Sequence, residues 1–442
     1  MVASEVAGRP TAPSRHAAPF PHNMLTEQEK SHARVVSVFE GVAATVWGQF
    51  TGGFGGNSYL AGFFLWIGAS PFAMSLYGAI VPLTNVFQPL VLWASSRVTS
   101  RKRLVIVLSG IGRPTFFALS LFALVKSGLR VELALFSFFV FELATSAVGA
   151  PWQSWMSELV DPELRGSYFG GRNLTTGLVA VPSALLAGYL LDLLGKRFLA
   201  FMAIFAVGSI FGAIDTFLFT RQDEDRHRRE GAIRLTRLPR ILTLAKDYRR
   251  YLGGVALVSF SGSLVGPYAT VMLINRFHYN YATLGLLAVS GTLAAAISQP
   301  LWGLLGDRHG ALKMLKLALY VRPFLSLAWA LAVPSLAYML PLHVFIGVIV
   351  TGGMGLMGFN ALLSAAPSFA KVEAFSLYAS ITNLAAVAGN IVSGLVLLRF
   401  LPVSGNLFVR SLNPYRFVFL VSFLGRLCAA WYIAKLKLAP AR

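Results

Sequence analysis

Seven ionisable side chains lie within long apolar stretches of this sequence. They are three acids, three arginines and one histidine: Glu40, Glu142, Asp215, Arg113, Arg322, Arg426 and His343. Ionisable residues buried in hydrocarbon are usually paired with one another or functional. A buried carboxylate can carry a proton, and a guanidinium can bind an anion. We therefore treat these residues as candidates for binding or proton exchange, with mutual pairing as the alternative. Three amides on the same stretches complete the set: Gln49, Asn57 and Asn360.

The composition identifies the elements that hold these residues. Apolar residues make up 56% of the chain and charged residues 13%, whereas soluble domains contain about 25% charged residues. Apolar stretches with the length of a membrane-spanning helix occur at 35–66, 71–95, 104–125, 133–156, 167–191, 198–220, 252–275, 281–305, 314–333, 336–360, 374–398 and 417–434. The sequence therefore predicts an all-α, polytopic membrane protein with 12 transmembrane helices in a lipid bilayer.

The basic residues are unevenly distributed around these spans. With the N-terminus inside, 27 of the 38 Lys and Arg residues fall on the cytoplasmic side, including Arg172 and Lys316 in the inner turns of spans 5 and 9. Eight fall outside and three lie deeper within spans. This is the positive-inside pattern of membrane proteins, and it predicts that both termini are cytoplasmic. It also explains the net charge of +20 without nucleic acid as a partner. We expect the protein in a bacterial cytoplasmic (inner) membrane.

The N-terminal tail and the single cysteine exclude several classes of site. Residues 1–34 contain no apolar signal-peptide core, so we expect a disordered cytosolic tail. Cys428 alone cannot form an internal disulfide or a cysteine-based metal cluster. The motifs of nucleotide-binding and hydrolytic enzymes are also absent. We expect neither enzymatic activity nor a metal or cofactor.

Three pairs of segments indicate an internal duplication. Residues 88–102 resemble 299–313, Arg113-Pro114 recurs as Arg322-Pro323, and residues 163–174 resemble 373–384. The pairs keep the same order at offsets of 211, 209 and 210 residues, which indicates a repeated structural unit. The predicted organisation is two six-helix halves, at 35–220 and 251–436. A basic cytoplasmic linker that includes an amphipathic helix joins them at 221–250, and a C-terminal tail follows at 437–442.

The loop between predicted spans 8 and 9 contains the pattern G-x-x-x-D-R-x-G-x-x-K, formed by Gly303, Asp307, Arg308, Gly310 and Lys313. With six plus six helices and cytoplasmic termini, this loop resembles the signature of the major facilitator superfamily. The resemblance implies two pseudo-symmetric six-helix bundles in the major facilitator fold. It also implies a monomer that moves a small-molecule solute by alternating access.

The same resemblance predicts a cytoplasmic gate. Asp307 is expected to contact the N-terminus of a helix in the other half, near 166–170, where free N–H groups and the helix dipole favour an anion. The equivalent residue of the first half is Ser96, which can accept a hydrogen bond but carries no charge. We expect the neighbouring arginines to pair with two repeated acids, and these gate residues are Arg97, Arg308, Glu163 and Glu373.

Helical rise places two buried charges at similar depth. At about 1.5 Å per residue, Arg113 lies roughly 15 Å from the inner face and Glu142 roughly 15 Å from the outer face of a core about 30 Å thick. We expect a coupled cluster of Glu142, Arg113 and Glu40, in which Glu142 takes up and releases a proton. A static ion pair joining spans 3 and 4 is the alternative.

Arg322 and Arg426 have no acid within spans 7 to 12. They are expected to give the second half a positive interior; the alternative is snorkelling or bonding to carbonyls freed near Pro323. If either arginine faces a cavity, the solute is expected to carry a carboxylate or phosphate.

Apolar residues spaced among arginines at 233–242 predict an amphipathic helix that braces the inner leaflet. The leading function is a secondary active transporter of a small organic, anionic solute, with protons as the candidate coupling ion. The alternative is a non-transporting membrane assembly factor or sensor with the same fold.

Overall fold

The computed structural model describes residues 25–52, 57–98, 100–160, 164–195, 197–224, 237–367, 370–400 and 414–436. These residues form helices joined by short turns, and no β-strand occurs among them. The segments 1–24 and 437–442 of the two predicted tails lie outside the described residues, as does the gate residue Glu163.

The first half is built from the helices α1 (Glu27–Thr51), α2 (Ser58–Trp66), α3 (Pro71–Val86), α4 (Gln88–Ser95), α5 (Arg101–Gly112), α6 (Ala118–Leu121), α7 (Arg130–Leu159), α8 (Arg165–Leu193) and α9 (Phe198–Thr220). The linker and second half contain α10 (Arg237–Leu244), α11 (Lys246–Ser263), α12 (Tyr268–Asn275), α13 (Tyr281–His309), α14 (Ala311–Ala330), α15 (Leu336–Ile346), α16 (Gly355–Ala365), α17 (Lys371–Phe400) and α18 (Pro414–Ala434). A π-helical segment, Gly347–Met354, joins α15 to α16.

We call the end of the molecule that carries the turn at 96–100 and the α13–α14 turn the basic face. The end that carries the turns at 67–70 and 276–280 is the opposite face. The α13–α14 turn depends on Gly310, whose φ of 88° lies in a region that favours glycine. This turn belongs to the predicted gate loop, so its glycine has a backbone role.

Several of the predicted spans are broken into shorter helices, among them the first and the third. α1 ends at Gly52, and α2 restarts after Asn57, whose side chain accepts hydrogen bonds from the backbone N–H groups of Tyr59 and Leu60. The third span is interrupted at 113–117, between α5 and α6, where Pro114 has no N–H to donate. Because the helix is broken at Arg113, the side chain of Arg113 can extend away from the helix axis.

Nine helical stretches in the described residues are long and apolar enough to cross a membrane. Predicted spans 1, 3 and 9 are not among them. Spans 1 and 3 are broken, and α14 carries the three cations Lys313, Lys316 and Arg322. The total of 12 transmembrane helices therefore stays a prediction.

Three apolar clusters define the shape of the molecule. The largest draws on both halves and lies toward the opposite face, where it includes Tyr59, Phe201, Tyr268 and Tyr281. Toward the basic face there are two separate clusters. One consists of residues of the first half between positions 33 and 219, and the other of residues between positions 241 and 436. Across the halves, α3 packs along α17 and α8 along α13. The halves therefore share a core at the opposite face and separate toward the basic face.

Helix α1 begins before the predicted boundary at residue 35. Thr26 and Glu29 form a capping box in which each side chain bonds the other residue's backbone N–H, an arrangement that starts a helix. These hydrogen bonds from Thr26 also lower the pKa of Glu29. The prediction of disorder for 27–34 is therefore wrong.

The linker helix α10 is present, but its apolar face is directed at protein. Ile241 is fully buried, and Leu238 and Leu242 pack against the cluster of the second half at its basic face. The exposed Leu244 is left facing away from this contact. α10 therefore packs against the second half. Ile241 faces protein and not lipid, contrary to the lipid-facing role that was expected.

Candidate functional site

A cavity of about 780 Å³ lies between the two halves, within the size range of small-molecule sites. Its polar lining comes from helices of both halves and comprises Asn57, Ser58, Tyr77, Tyr251, Ser259, Ser263, Thr270, Arg322, Tyr378, Thr382, Asn383 and Asn390. The cavity continues toward the basic ends of the helices, where Leu315, Gly358 and Ile433 line it. A solute reaching this cavity would contact both halves at once.

Arg322 is the charged residue among those that line this cavity. It lies on α14, about 17 Å along the helix from Ala311 at 1.5 Å per residue. Its Nε atom is buried without a hydrogen-bond partner, and no ion pair joins Arg322 to a described residue. Arg426 on α18 also has an unpartnered, buried Nε, and its Nη2 lies 3.4 Å from the carbonyl oxygen of Gly262.

Asn390 supplies a second buried polar group beside the cavity. The residue is 3% exposed, its Nδ2 donates to the carbonyl of Ala386 at 3.0 Å, and its Oδ1 has no partner among the described residues. Asn383 also lines the cavity and donates to Ala379 at 2.7 Å. The wall thus offers a cation and amides whose oxygens can accept from a solute.

The other predicted amides and the histidine divide between structural and solute-facing positions. Asn57 lines the cavity, although its side chain is also used to cap α2 and to donate to the carbonyl of Gln49 at 2.8 Å. Gln49, His343 and Asn360 are not among the residues that line it. The Nδ1 of His343 lies 2.8 Å from the carbonyl of Met339, and the ring packs against Trp329.

A second cavity, of about 440 Å³, lies within the first half. Four charged residues line it, Glu40, Arg113, Glu142 and Arg172, together with Asn85, Gln88, Thr145 and Trp152. Val81 of α3 lines both cavities. The predicted cluster residues therefore do come together at one cavity.

Their pairing differs from the prediction. Arg113 forms a buried ion pair with Asp215 of α9, and Glu40 pairs with Arg172 of α8, with 2.9 Å between Nη2 and Oε2. Glu40 also interacts with Asp215, so two acids and two arginines form one buried group. The expected Arg113–Glu142 pair is wrong because Arg113, at the break after α5, extends to α9 and not to α7.

Glu142 remains as a buried acid apart from this group. The residue is 3% exposed and forms no ion pair or hydrogen bond with any residue that the structure describes. Its electrostatic neighbour is Tyr77, whose hydroxyl donates to the carbonyl of Asn57 at 3.3 Å and whose ring stacks on Phe138. Tyr77 lines the central cavity, so it links Glu142 electrostatically to the solute space.

The gate residues of the basic face are apart in this structure. Asp307 and Arg308 are exposed, and neither forms an ion pair with a described residue. The expected Arg308–Glu373 pair is not formed here, where Glu373 is buried at the start of α17 with 6% of its surface exposed, and it stays a prediction for the closed gate. The contact of Asp307 with the start of α8 stays a prediction for a conformation closed at the basic face.

On the first-half side of this gate, the hydroxyl of Ser96 donates to the carbonyl of Trp93 at 2.8 Å. The guanidinium carbon of Arg97 lies 4.0 Å from the centre of the Trp93 ring. The Arg97–Glu163 pair lies outside the described residues. Gly303 faces Leu356, and Lys313 is exposed on α14.

An aspartate and a helix N-terminus do meet across the halves, but at the opposite face. The carboxylate of Asp192, near the end of α8, accepts from the backbone N–H groups of Tyr281 (3.0 Å) and Ala282 (2.8 Å), which begin α13. Next to them, Gly62 has no room for a Cβ because the Tyr281 hydroxyl occupies that space. We call this contact the Asp192 latch, and it closes the opposite face.

Sequence reasoning missed Arg172 and Asp192 as site residues. Both lie near the ends of a predicted span, where a charge is ordinarily explained by contact with water. The repeat offered no signal either, since Arg172 of the matched segment 163–174 aligns with the uncharged Thr382, and Asp192 lies outside the matched segments.

Residues 45–252 match the family described as Major Facilitator Superfamily. The structural neighbours are transporters with this fold. Over this segment the chain is similar to the major facilitator superfamily. No curated protein matches the sequence.

Three solved structures illustrate the likeness in fold between this chain and known transporters. A variant of the nucleoside transporter NupG has a TM-score of 0.72 at 12% identity, covering 92% of this chain and 100% of that chain. A bacterial homologue of the iron transporter ferroportin, in an inward-facing state, has a TM-score of 0.68 at 13% identity, covering 93% and 99%. The peptide transporter POT has a TM-score of 0.63 at 14% identity, covering 91% and 97%. At these identities the likeness concerns the fold alone.

Proposed function

We propose that this protein is a secondary transporter that moves a small organic anion through the central cavity by alternating access, with protons as the coupling ion. Three features support the proposal: the cavity has walls from both halves, the halves meet at one face and separate at the other, and Arg322 lines the cavity. The central observation is the unpaired guanidinium of Arg322 at a cavity that both halves enclose.

The proton-coupling part of the proposal rests on Glu142. An isolated ionised carboxylate is costly in a low-dielectric interior, so it persists there by neutralisation or by pairing. Because no described residue pairs with Glu142, proton binding is the remaining way to neutralise it. Tyr77 interacts electrostatically with Glu142 and lines the solute cavity, so proton binding and solute binding can influence each other.

The proposed cycle starts from the conformation seen here. Solute and proton enter from the basic face; the halves then close at that face through Asp307 and open at the opposite face by releasing the Asp192 latch. An alternating-access protein needs two closures that are not formed together. The Asp192 latch is formed while the Asp307 contact is absent, as such a cycle requires.

Counterflow in proteoliposomes tests the proposal, since exchange of labelled for unlabelled solute needs no ion gradient. Carboxylates, phosphate esters and neutral solutes of similar size are compared, each with and without a pH gradient. We expect exchange of one anion class by the wild type and Glu142→Gln, and gradient-driven accumulation by the wild type only. Glu132→Gln, which changes an exposed acid at the start of α7, is the matched control and should behave as wild type.

The outcome against the proposal is equally defined. If Glu142→Gln is folded and accumulates solute normally, protons are not coupled through this residue. If no solute class exchanges and a protein partner co-purifies stably, the non-transporting alternative is favoured.

A further inference from the structure

The two halves treat their buried arginines in different ways. Arg113 and Arg322 correspond at an offset of 209 residues. The neighbouring helices pack alike, α5 against α9 and α14 against α18. In the first half Arg113 forms an ion pair with Asp215 of α9. In the second half α18 contains no acid, and it carries Arg426 instead.

The register of α14 and α18 brings the two arginines of the second half together. One helical turn beyond each of them, the hydroxyls of Ser326 and Ser422 lie 3.3 Å apart and are buried. The two guanidinium groups are close enough to repel one another. Two cations therefore lie side by side, and no acid lies within the spans of this half. A bound anion would balance their charge.

Both guanidinium groups surround the same glycine. The Nη2 of Arg426 faces the carbonyl of Gly262, and the Nη2 of Arg322 occupies the space in which a Cβ of this residue would lie. The Nε atoms of both arginines are buried and have no partner in the described part of the chain. Because Gly262 and Arg322 also line the central cavity, a bound group could reach these donors from the solute space.

We propose that Arg322 and Arg426 form an oxyanion subsite of the central cavity, in which a carboxylate or phosphate of the solute pairs with them as Asp215 pairs with Arg113 in the first half. This inference rests on the proposed transport function and names the chemical group that is recognised. Guanidinium groups bind carboxylate and phosphate through paired N–H donors. Two of them together neutralise a dianionic group without any protein acid.

Anion-dependent thermal stability tests the subsite on purified full-length protein. The unfolding midpoint is followed while sodium phosphate, sodium acetate or sodium chloride is increased at constant ionic strength, with glucose as the neutral probe. We expect a saturable rise with phosphate or acetate that exceeds the effect of chloride. A larger response to phosphate identifies a tetrahedral dianion as the preferred group, and a larger response to acetate identifies a carboxylate.

Three substitutions assign the response to the subsite. Arg322→Gln and Arg426→Gln should each weaken the apparent anion affinity at least tenfold. Arg416→Gln should leave the affinity unchanged, because this arginine of the same helix α18 bonds the carbonyl of Ala332 away from the cavity. An equal response to all three anions, retained in both subsite variants, would show a general salt effect and overturn the proposal.

Arg426→Asp gives an independent test that does not depend on a loss of stability. It places in the second half an arginine–aspartate pair like that of the first half. We expect a higher unfolding midpoint without anion and no further rise when anion is added. A lowered midpoint with the anion response intact would overturn the subsite.

The binding assay tests the subsite and the transport assay tests the proposed function, so each proposal can fail without the other. Anion binding without exchange of any solute would leave the subsite in place and reject transport. Exchange of a neutral solute by a protein that shows no anion response would reject the subsite and retain transport.

Discussion

Replacing Asp192 by asparagine should open the protein at the opposite face. The Asp192 carboxylate accepts two backbone hydrogen bonds from the first turn of α13 in the other half, and it lies at the positive end of that helix. Asparagine keeps one accepting oxygen but loses the charge. The closed opposite face should therefore become less stable relative to the open one.

The size of the effect follows from these two contacts. A charge at a helix N-terminus contributes about 0.3–1 kcal/mol, and one hydrogen bond contributes about 0.5–1.5 kcal/mol net. Their loss amounts to roughly 1–2 kcal/mol, which changes a two-state ratio by about 5- to 30-fold. The population open at the opposite face should rise by a factor in this range while it remains the minor state.

Cysteine accessibility measures this population. Cys428 is the only cysteine of the chain, so Cys428→Ser gives a background into which Ser58→Cys can be introduced. Ser58 lines the central cavity close to the Asp192 latch. A membrane-impermeant maleimide, added from the opposite face, should label this cysteine about 5 to 30 times faster when Asp192→Asn is present. Glu132→Gln changes an exposed acid at the same face and should leave the rate unaltered. An unchanged or slower rate in Asp192→Asn would refute the latch.

Three further substitutions test the structure at separate points. Arg113→Gln and Asp215→Asn should each lower stability by about 3–5 kcal/mol because each removes one partner of a buried ion pair, and the double variant should cost less than their sum in thermal denaturation; strict additivity would contradict the ion pair. Gly62→Ala should favour the state open at the opposite face, because the new Cβ overlaps the hydroxyl of Tyr281; the maleimide assay should show faster labelling, and wild-type labelling would speak against this close contact. Asp307→Asn should express normally but slow exchange in counterflow, since it weakens closure of the basic face; unchanged kinetics would remove Asp307 from the gate.

The fold could be predicted because the features that indicate it recur at regular spacing along the sequence. Long apolar spans, the distribution of Lys and Arg, and the loop at Asp307–Arg308 each depend on residue type and spacing alone. The helical fold was therefore predicted correctly, and residues 45–252 match the predicted superfamily. The break at Arg113 was not predicted, because proline is tolerated within membrane helices and Pro114 alone does not indicate that the helix stops.

The pairing of buried charges could not be predicted from depth. Helical rise placed Arg113 and Glu142 at similar depth, and both do line one cavity. Which side chains meet depends on helix rotation and on which helices are neighbours, and neither is fixed by spacing. Arg113 therefore reaches Asp215, and Arg172, which was counted with the inner-face cations, extends to Glu40.

The expected gate shows the same limit in a different form. The resemblance predicted an aspartate at a helix N-terminus across the two halves, and the structure contains this type of contact at Asp192. It closes the opposite face, whereas Asp307 is exposed. A sequence describes all conformations of a transporter together, so it cannot indicate which closure a single structure contains.

Proton uptake driven by an organic anion is the most direct test of the central claim. Proteoliposomes without any imposed ion gradient, containing a pH-sensitive dye, are exposed to an outward or inward gradient of carboxylates, phosphate esters or neutral solutes. The account predicts that a gradient of one anion class moves protons in the wild type and that Glu142→Gln and Arg322→Gln abolish this movement. Proton movement of equal size in Glu142→Gln, or none with any anion in folded wild-type protein, would contradict it.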